Sequence, residues 1–158
     1  ISCDVRMEDR ALIADVVYIC GTKCGALIGE ALVIVNKNLR DHFRTYMKQS
    51  GGILAKGWLL GVQFYTLFKD GLYFELTKHA DDLAAKLKQG FADASIPLYM
   101  DSPTNQLFVI LTNEKADERA EEFTYEFDHV VDEERVCVRF CTSWSSTEEE
   151  VDKLIAAL

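Results

Sequence analysis

The sequence predicts an α/β chain in two parts, and three observations carry that reading. Two short apolar runs, Val16 to Ile19 and Ala31 to Val35, flank a loop that holds Gly21, Thr22, Lys23 and Gly25, as buried parallel strands of an open sheet would. After residue 75 a long amphipathic helical pattern gives way to alternating strand and helix signals, which sets a boundary between residues 1–75 and 76–158. A chain of 158 residues can bury roughly 70% of the surface it exposes when unfolded, so neither part needs a disulfide or metal staple.

Composition excludes several classes. The chain is 49% hydrophobic and 11% aromatic, values of a folded protein rather than of a disordered or collagen-like one. Its 17 Lys and Arg face 26 Asp and Glu, a net charge of −9, so no nucleic-acid partner is expected, because phosphate-backbone affinity rests on basic side chains. No membrane contact is expected either: the longest apolar stretch, Ile53 to Phe68, is interrupted by Lys56, Gln63 and two glycines, short of the roughly 20 residues a spanning helix needs. Nothing reads as a secretory signal. The five cysteines, Cys3, Cys20, Cys24, Cys137 and Cys141, read as free thiols of a reducing compartment, which points to the cytoplasm. Cys20/Cys24 and Cys137/Cys141 could be offered as a four-thiolate zinc set, but three residues separate each pair where a zinc ribbon has two, so no metal is expected.

The elements follow in order. Met7, Leu12, Ile13 and Ala14 suggest a short helix before the first strand. Leu39, Phe43 and Met47 recur at helical spacing and stop at Ser50, Gly51 and Gly52. Ile53 to Phe68 is apolar on nearly every face, which predicts a helix buried all round, with Gly57 and Gly61 admitting a close neighbour. Asp70 and Gly71 end it. Leu76, Ala80, Leu83, Leu87 and Ala94 trace the next helix, whose other face carries Lys78, Asp81, Asp82, Lys86 and Lys88. Pro97 to Met100 and Leu107 to Thr112 read as strands, Ala116 to Phe123 as a short helix, and Phe123 to Asp128 and Val136 to Phe140 as two further strands by their period of two. Thr147 and Glu150 have capping-box spacing ahead of a final helix with Val151, Leu154, Ile155 and Leu158 on its apolar stripe.

Three residues stand out chemically. Lys23 is one long amine among small neighbours past the end of a strand, where open α/β sheets bind ligands; desolvated there, it would be a nucleophilic amine able to form a Schiff base. The same residues also read as a surface lysine in a glycine turn. Arg139 shares a strand face with Cys137 and Cys141 and needs an anionic partner, either a ligand carboxylate or an acidic side chain of the protein. Lys56, near a helix N-terminus that does not favour a cation, suggests an anion nearby or a side chain reaching to solvent. His42, His79 and His129 receive no catalytic role, and Trp144 reads as a loop aromatic that lines a pocket or packs.

The segment Tyr18-Ile19-Cys20-Gly21-Thr22-Lys23-Cys24-Gly25-Ala26 with Gly29-Glu30-Ala31 resembles the cofactor-lysine segment of the threonine-aldolase-like, β-eliminating lyase family. Lys48-Gln49-Ser50-Gly51-Gly52, Ala55-Lys56-Gly57, Asn105-Gln106-Leu107-Phe108 and Arg139-Phe140-Cys141-Thr142-Ser143-Trp144 extend the resemblance over almost the whole chain. It implies an aspartate-aminotransferase-type fold, with residues 1–75 as the C-terminal portion of a large, mainly parallel-sheet domain that binds pyridoxal 5'-phosphate, and 76–158 as a small α+β domain. It implies Lys23 as the Schiff-base lysine, Thr22, Lys23 and Lys56 as cofactor-binding residues, and Arg139 as the residue that binds the substrate carboxylate. The activity implied is aldol cleavage of threonine or allo-threonine to glycine and an aldehyde by a homodimer or homotetramer; another β-eliminating lyase or a non-catalytic assembly domain are the alternatives. The family's Asp-Gly-Ala-Arg-Leu-like segment should come shortly before the position of Ile1. Because that segment is not in the sequence, the resemblance reads the chain as a C-terminal part, inactive by itself.

Overall fold

The computed structural model describes residues 2–158, and the chain divides into two compact units, Cys3–Leu76 and Thr77–Leu158. In the first, helix α1 (Met7–Arg10) precedes strands β1 (Val16–Cys20) and β2 (Glu30–Ile34). These pair antiparallel, from Val16 opposite Ile34 to Cys20 opposite Glu30. Parallel, buried strands were expected, so this is a correction, and its cause is length. The connection from Gly21 to Gly29 is shorter than the dozen or so residues a parallel crossover requires, and it contains no helix. Several side chains of the pair are exposed, Tyr18 and Leu32 among them.

The single helix expected through Leu39, Phe43 and Met47 is two pieces. A 3-10 turn at Lys37–Leu39 is separated from α2 (Phe43–Gln49) by Arg40, Asp41 and His42, and the φ of 56° at His42 lies in the left-handed region and cannot continue a helix. Helix α3 (Trp58–Lys69) begins later than expected and is not buried all round. Phe64 and Leu67 are buried, while Trp58, Val62 and Tyr65 are half or more exposed. Through Leu60, Gln63 and Phe64 the helix meets the connection between β1 and β2. The close approach expected at Gly61 is absent among the described residues: a Cβ there would meet nothing within 4 Å. Gly71, at φ +81°, makes the turn into α4 (Leu72–Asp93), and Phe68, Tyr73 and Phe74 cluster around it, the first two stacked at 4.7 Å.

The second unit is a three-stranded antiparallel sheet in the order β3-β5-β4, formed by Gln106–Thr112, Arg135–Cys141 and Glu126–Val130. Register sorts its faces. Leu107, Val109 and Leu111 lie opposite Phe140, Val138 and Val136, and these residues face the core with Leu83, Leu87 and Phe91 of α4 and with Val151 and Leu154 of the final helix. The expected strand at Pro97–Met100 is reduced to one bridge, Leu98 to Val109. Helix α5 (Asn113–Ala120) follows β3 and is capped by Thr112. Helix α6 (Glu148–Ala156) carries the expected capping box of Thr147 and Glu150. Thr142 Oγ1 donates to the Ala80 carbonyl at 2.7 Å, a buried bond that fixes the segment after β5 to α4.

Phe91 is fully buried and packs against Phe140 at 5.5 Å between centroids. Phe91→Ala should destabilise the chain by about 3–5 kcal/mol, the transfer loss plus the cavity left behind. Urea unfolding followed by tryptophan fluorescence and circular dichroism checks this; an unchanged midpoint would mean that α4 does not form this core.

Candidate functional site

The Lys23 loop is built by glycines and clamped by helix α3. Gly21 accepts from the amides of Cys24 and Ala26, both at 3.0 Å, which curls the chain back immediately after β1. A Cβ at Gly21 would come within 2.4 Å of the Ala26 Cβ and 3.2 Å of the Phe64 ring, so only glycine fits. Gly29, at φ +80°, lies against Leu60. Between them Gln63 reaches from α3. Its Oε1 accepts from the Leu27 amide at 2.6 Å and its Nε2 donates to the Ile28 carbonyl at 3.2 Å. At the strand end, the Tyr73 hydroxyl donates to the Cys20 carbonyl at 3.2 Å. Burial, and then the neighbouring Cys24 thiol, push that hydroxyl above the ordinary phenol range, so it remains a neutral donor.

The loop backbone is therefore tied at both ends, while the side chains of Thr22 and Lys23 are exposed and Cys24 is buried. Among the described residues the Lys23 amine has no ion-pair partner. Among the described residues none encloses the Lys23 side chain, which is exposed. Lys56 is also exposed. It lies in the turn before α3 rather than inside the helix, since Gly57 is the N-cap.

Arg139 belongs to the second unit. It lies on β5 opposite Glu126 of β4 and Phe108 of β3, on the sheet face away from the core. Its guanidinium donates to Gln106 Oε1 at 3.1 Å and forms an ion pair with Glu126. Both expected kinds of partner thus remain relevant: a protein carboxylate holds the fork, and the side chain is still one-third exposed. A ligand carboxylate at Arg139 has to compete with Glu126. The segment beyond the strand is ordered by Asn105, whose Nδ2 donates to the Thr142 carbonyl at 2.7 Å; Trp144 is half exposed. A cavity of about 490 Å³, bounded by Leu87, Phe123, Phe140, Thr142 and Val151, is lined by none of the predicted site residues.

Sequence reasoning missed Gln63, Tyr73, Gln106 and Glu126 as supporting residues. For Gln63 a signal existed, since it is the one side-chain amide within the mostly apolar run Ile53 to Phe68. For Glu126 there was none, because its place opposite Arg139 depends on strand register.

No family model matches the chain. It is 29% identical over 143 residues to a low specificity L-threonine aldolase of Pseudomonas sp. (strain NCIMB 10558), covering 90% of this chain and 40% of that protein. A Pseudomonas aeruginosa low specificity L-threonine aldolase is 28% identical over 141 residues, with 89% and 40% covered. The solved structure of Leishmania major threonine aldolase superposes with a TM-score of 0.94 at 40% identity, over 98% of this chain and 45% of that one. The chain thus spans about two fifths of the length of the curated relatives it matches. Sequence and fold are thus similar to those of threonine aldolases over nearly the whole of this chain, and the expected fold class, the C-terminal part of that fold, is borne out.

Gly21→Ala should lower stability by about 1–3 kcal/mol through overpacking against Ala26 and Phe64. Gly61→Ala, in open space on α3, should instead raise it by about 1 kcal/mol through helix propensity. Paired thermal melts check the opposite signs; equal shifts would mean that the loop is not packed on α3.

Proposed function

We propose that the protein to which this chain belongs is a pyridoxal-phosphate-dependent lyase that cleaves a β-hydroxy-α-amino acid, threonine or allo-threonine, into glycine and an aldehyde. The observation that carries this reading is Lys23: an exposed amine on a loop fixed at both ends, on a chain whose fold matches a threonine aldolase at a TM-score of 0.94. The available donors suit the group. Lys23 offers a primary amine for an aldehyde, Thr22 and Lys56 a hydroxyl and an ammonium for a phosphate, and Arg139 a guanidinium for a carboxylate. When bound, pyridoxal phosphate supplies the electron sink for cleavage of the Cα–Cβ bond.

The chain's own residues divide the remaining work. Lys23 would hold the coenzyme through its ε-nitrogen. Arg139 takes the α-carboxylate, exchanging Glu126 for it, and so fixes one end of the substrate. Cleavage removes the β-hydroxyl proton as the aldehyde C=O forms, and Cα gains a proton to give glycine. Large exposed apolar side chains on the first unit, including Leu12, Ile13 and Leu27, support assembly as a homodimer or homotetramer. The five free cysteines support a cytoplasmic setting.

Reduction with borohydride after addition of pyridoxal phosphate, followed by peptide mapping, should place the label on Lys23 in the complete protein, and Lys23→Ala should abolish it. Label retained in that variant would assign another lysine. Threonine should yield acetaldehyde and glycine; 2-oxobutanoate and ammonia would mark the eliminating lyase instead.

A further inference from the structure

Away from Lys23 and Arg139, three donors of different chemistry converge on the second unit. Strand β4 carries a bulge: Phe127 is opposite Val138 and His129 is opposite Cys137, which leaves Asp128 as the extra residue. Regular alternation would send Asp128 and His129 to opposite faces, but a bulge re-aims side chains. Here Asp128 Oδ2 lies 2.7 Å from His129 Nδ1. Directly across on β5, Cys137 is fully buried. One carboxylate oxygen, one ring nitrogen and the sulfur all fall within 4.8 Å of one another, the only such trio of His, Cys, Asp or Glu among the described residues. The Tyr99 ring meets His129 edge-on at 4.7 Å between centroids. Tyr99 comes from the chain flanking β3 and His129 from β4 at the other edge of the sheet.

We propose that Asp128, His129 and Cys137 form a binding site for a divalent transition metal of the zinc class, with water as the fourth ligand. The donor set selects the class: thiolate and imidazole suit zinc, whereas calcium and magnesium take oxygen ligands. The spacing also suits it. Ligand atoms on one tetrahedral zinc stand roughly 3.3–3.8 Å apart, given bonds of about 2.0–2.3 Å. Loading would open the Asp128–His129 contact by roughly half an ångström and draw the sulfur inward, within the reach of side-chain rotation on a bulged edge strand. The thiol proton leaves to solvent as the metal binds. The ion would join the edge strand β4 to the central strand β5. This site shares only Cys137 with the four-thiolate set considered from the sequence, and it does not depend on the proposed lyase activity.

The test is a Co²⁺ titration of the full chain after chelator treatment, with Zn²⁺ as competitor. One ion per chain should bind, with a sulfur-to-cobalt charge-transfer band in the near ultraviolet that Zn²⁺ removes. Cys137→Ala should abolish the band, and His129→Gln and Asp128→Asn should each weaken binding by about 10–100-fold. Absence of the band, its survival in Cys137→Ala, or unchanged affinity in His129→Gln would overturn the proposal. Should Cys137→Ala fail to fold, the two variants at the more accessible β4 positions decide it.

Discussion

The constraint on which the proposed site rests is the clamping of one short connection by one side-chain amide. Strands β1 and β2 run antiparallel, so the chain must reverse between Gly21 and Gly29. A reversal of that length has few backbone partners of its own. Gln63 meets this need with both ends of its side chain, accepting from Leu27 and donating to Ile28. Gly21 and Gly29 let the loop lie against Phe64 and Leu60. Ordering the backbone in this way leaves the exposed Lys23 side chain on a fixed base.

The second unit solves a different problem with the same economy. One face of its sheet supplies the core, through Leu107, Val109, Val138 and Phe140 packed on α4 and α6. The other face can then carry polar chemistry without disturbing that core. Arg139 sits there between Gln106 and Glu126, one from each neighbouring strand. A half-buried guanidinium costs little when paired, and Glu126 and Gln106 supply that pairing. The bulge in β4 adds Asp128 and His129 to the same face beside Cys137.

Much of this was legible from the residues, and the failures share a cause. The capping box at Thr147, the alternation in β5 and the amphipathic stripe of α4 are local patterns, and each appears as read. Apolar runs misled where burial depends on what lies alongside. The run Ile53 to Phe68 is apolar all round, yet α3 buries only the stripe through Phe64 and Leu67. Val16 to Ile19 was read as a parallel strand because continuous hydrophobicity is common to both kinds of sheet, and the length of the connection was the better guide. Lys23 was legible as a candidate because a long amine among small residues is unusual in the sequence. Gln63 and Glu126 were not, because each acts across a distance that only register or helix packing determines. His42 breaks a helix through a backbone angle that its side chain does not announce.

The claim that Gln63 fixes the Lys23 loop is open to one direct measurement, amide hydrogen exchange at Leu27 and Ile28 followed by NMR in the chain and in its Gln63→Leu variant. In the unaltered chain both amides should exchange more slowly than those of Thr22 and Lys23, and in the variant they should exchange at open-loop rates while the strand amides of β1 and β2 stay protected. Rapid exchange at Leu27 and Ile28 in both proteins would contradict the account.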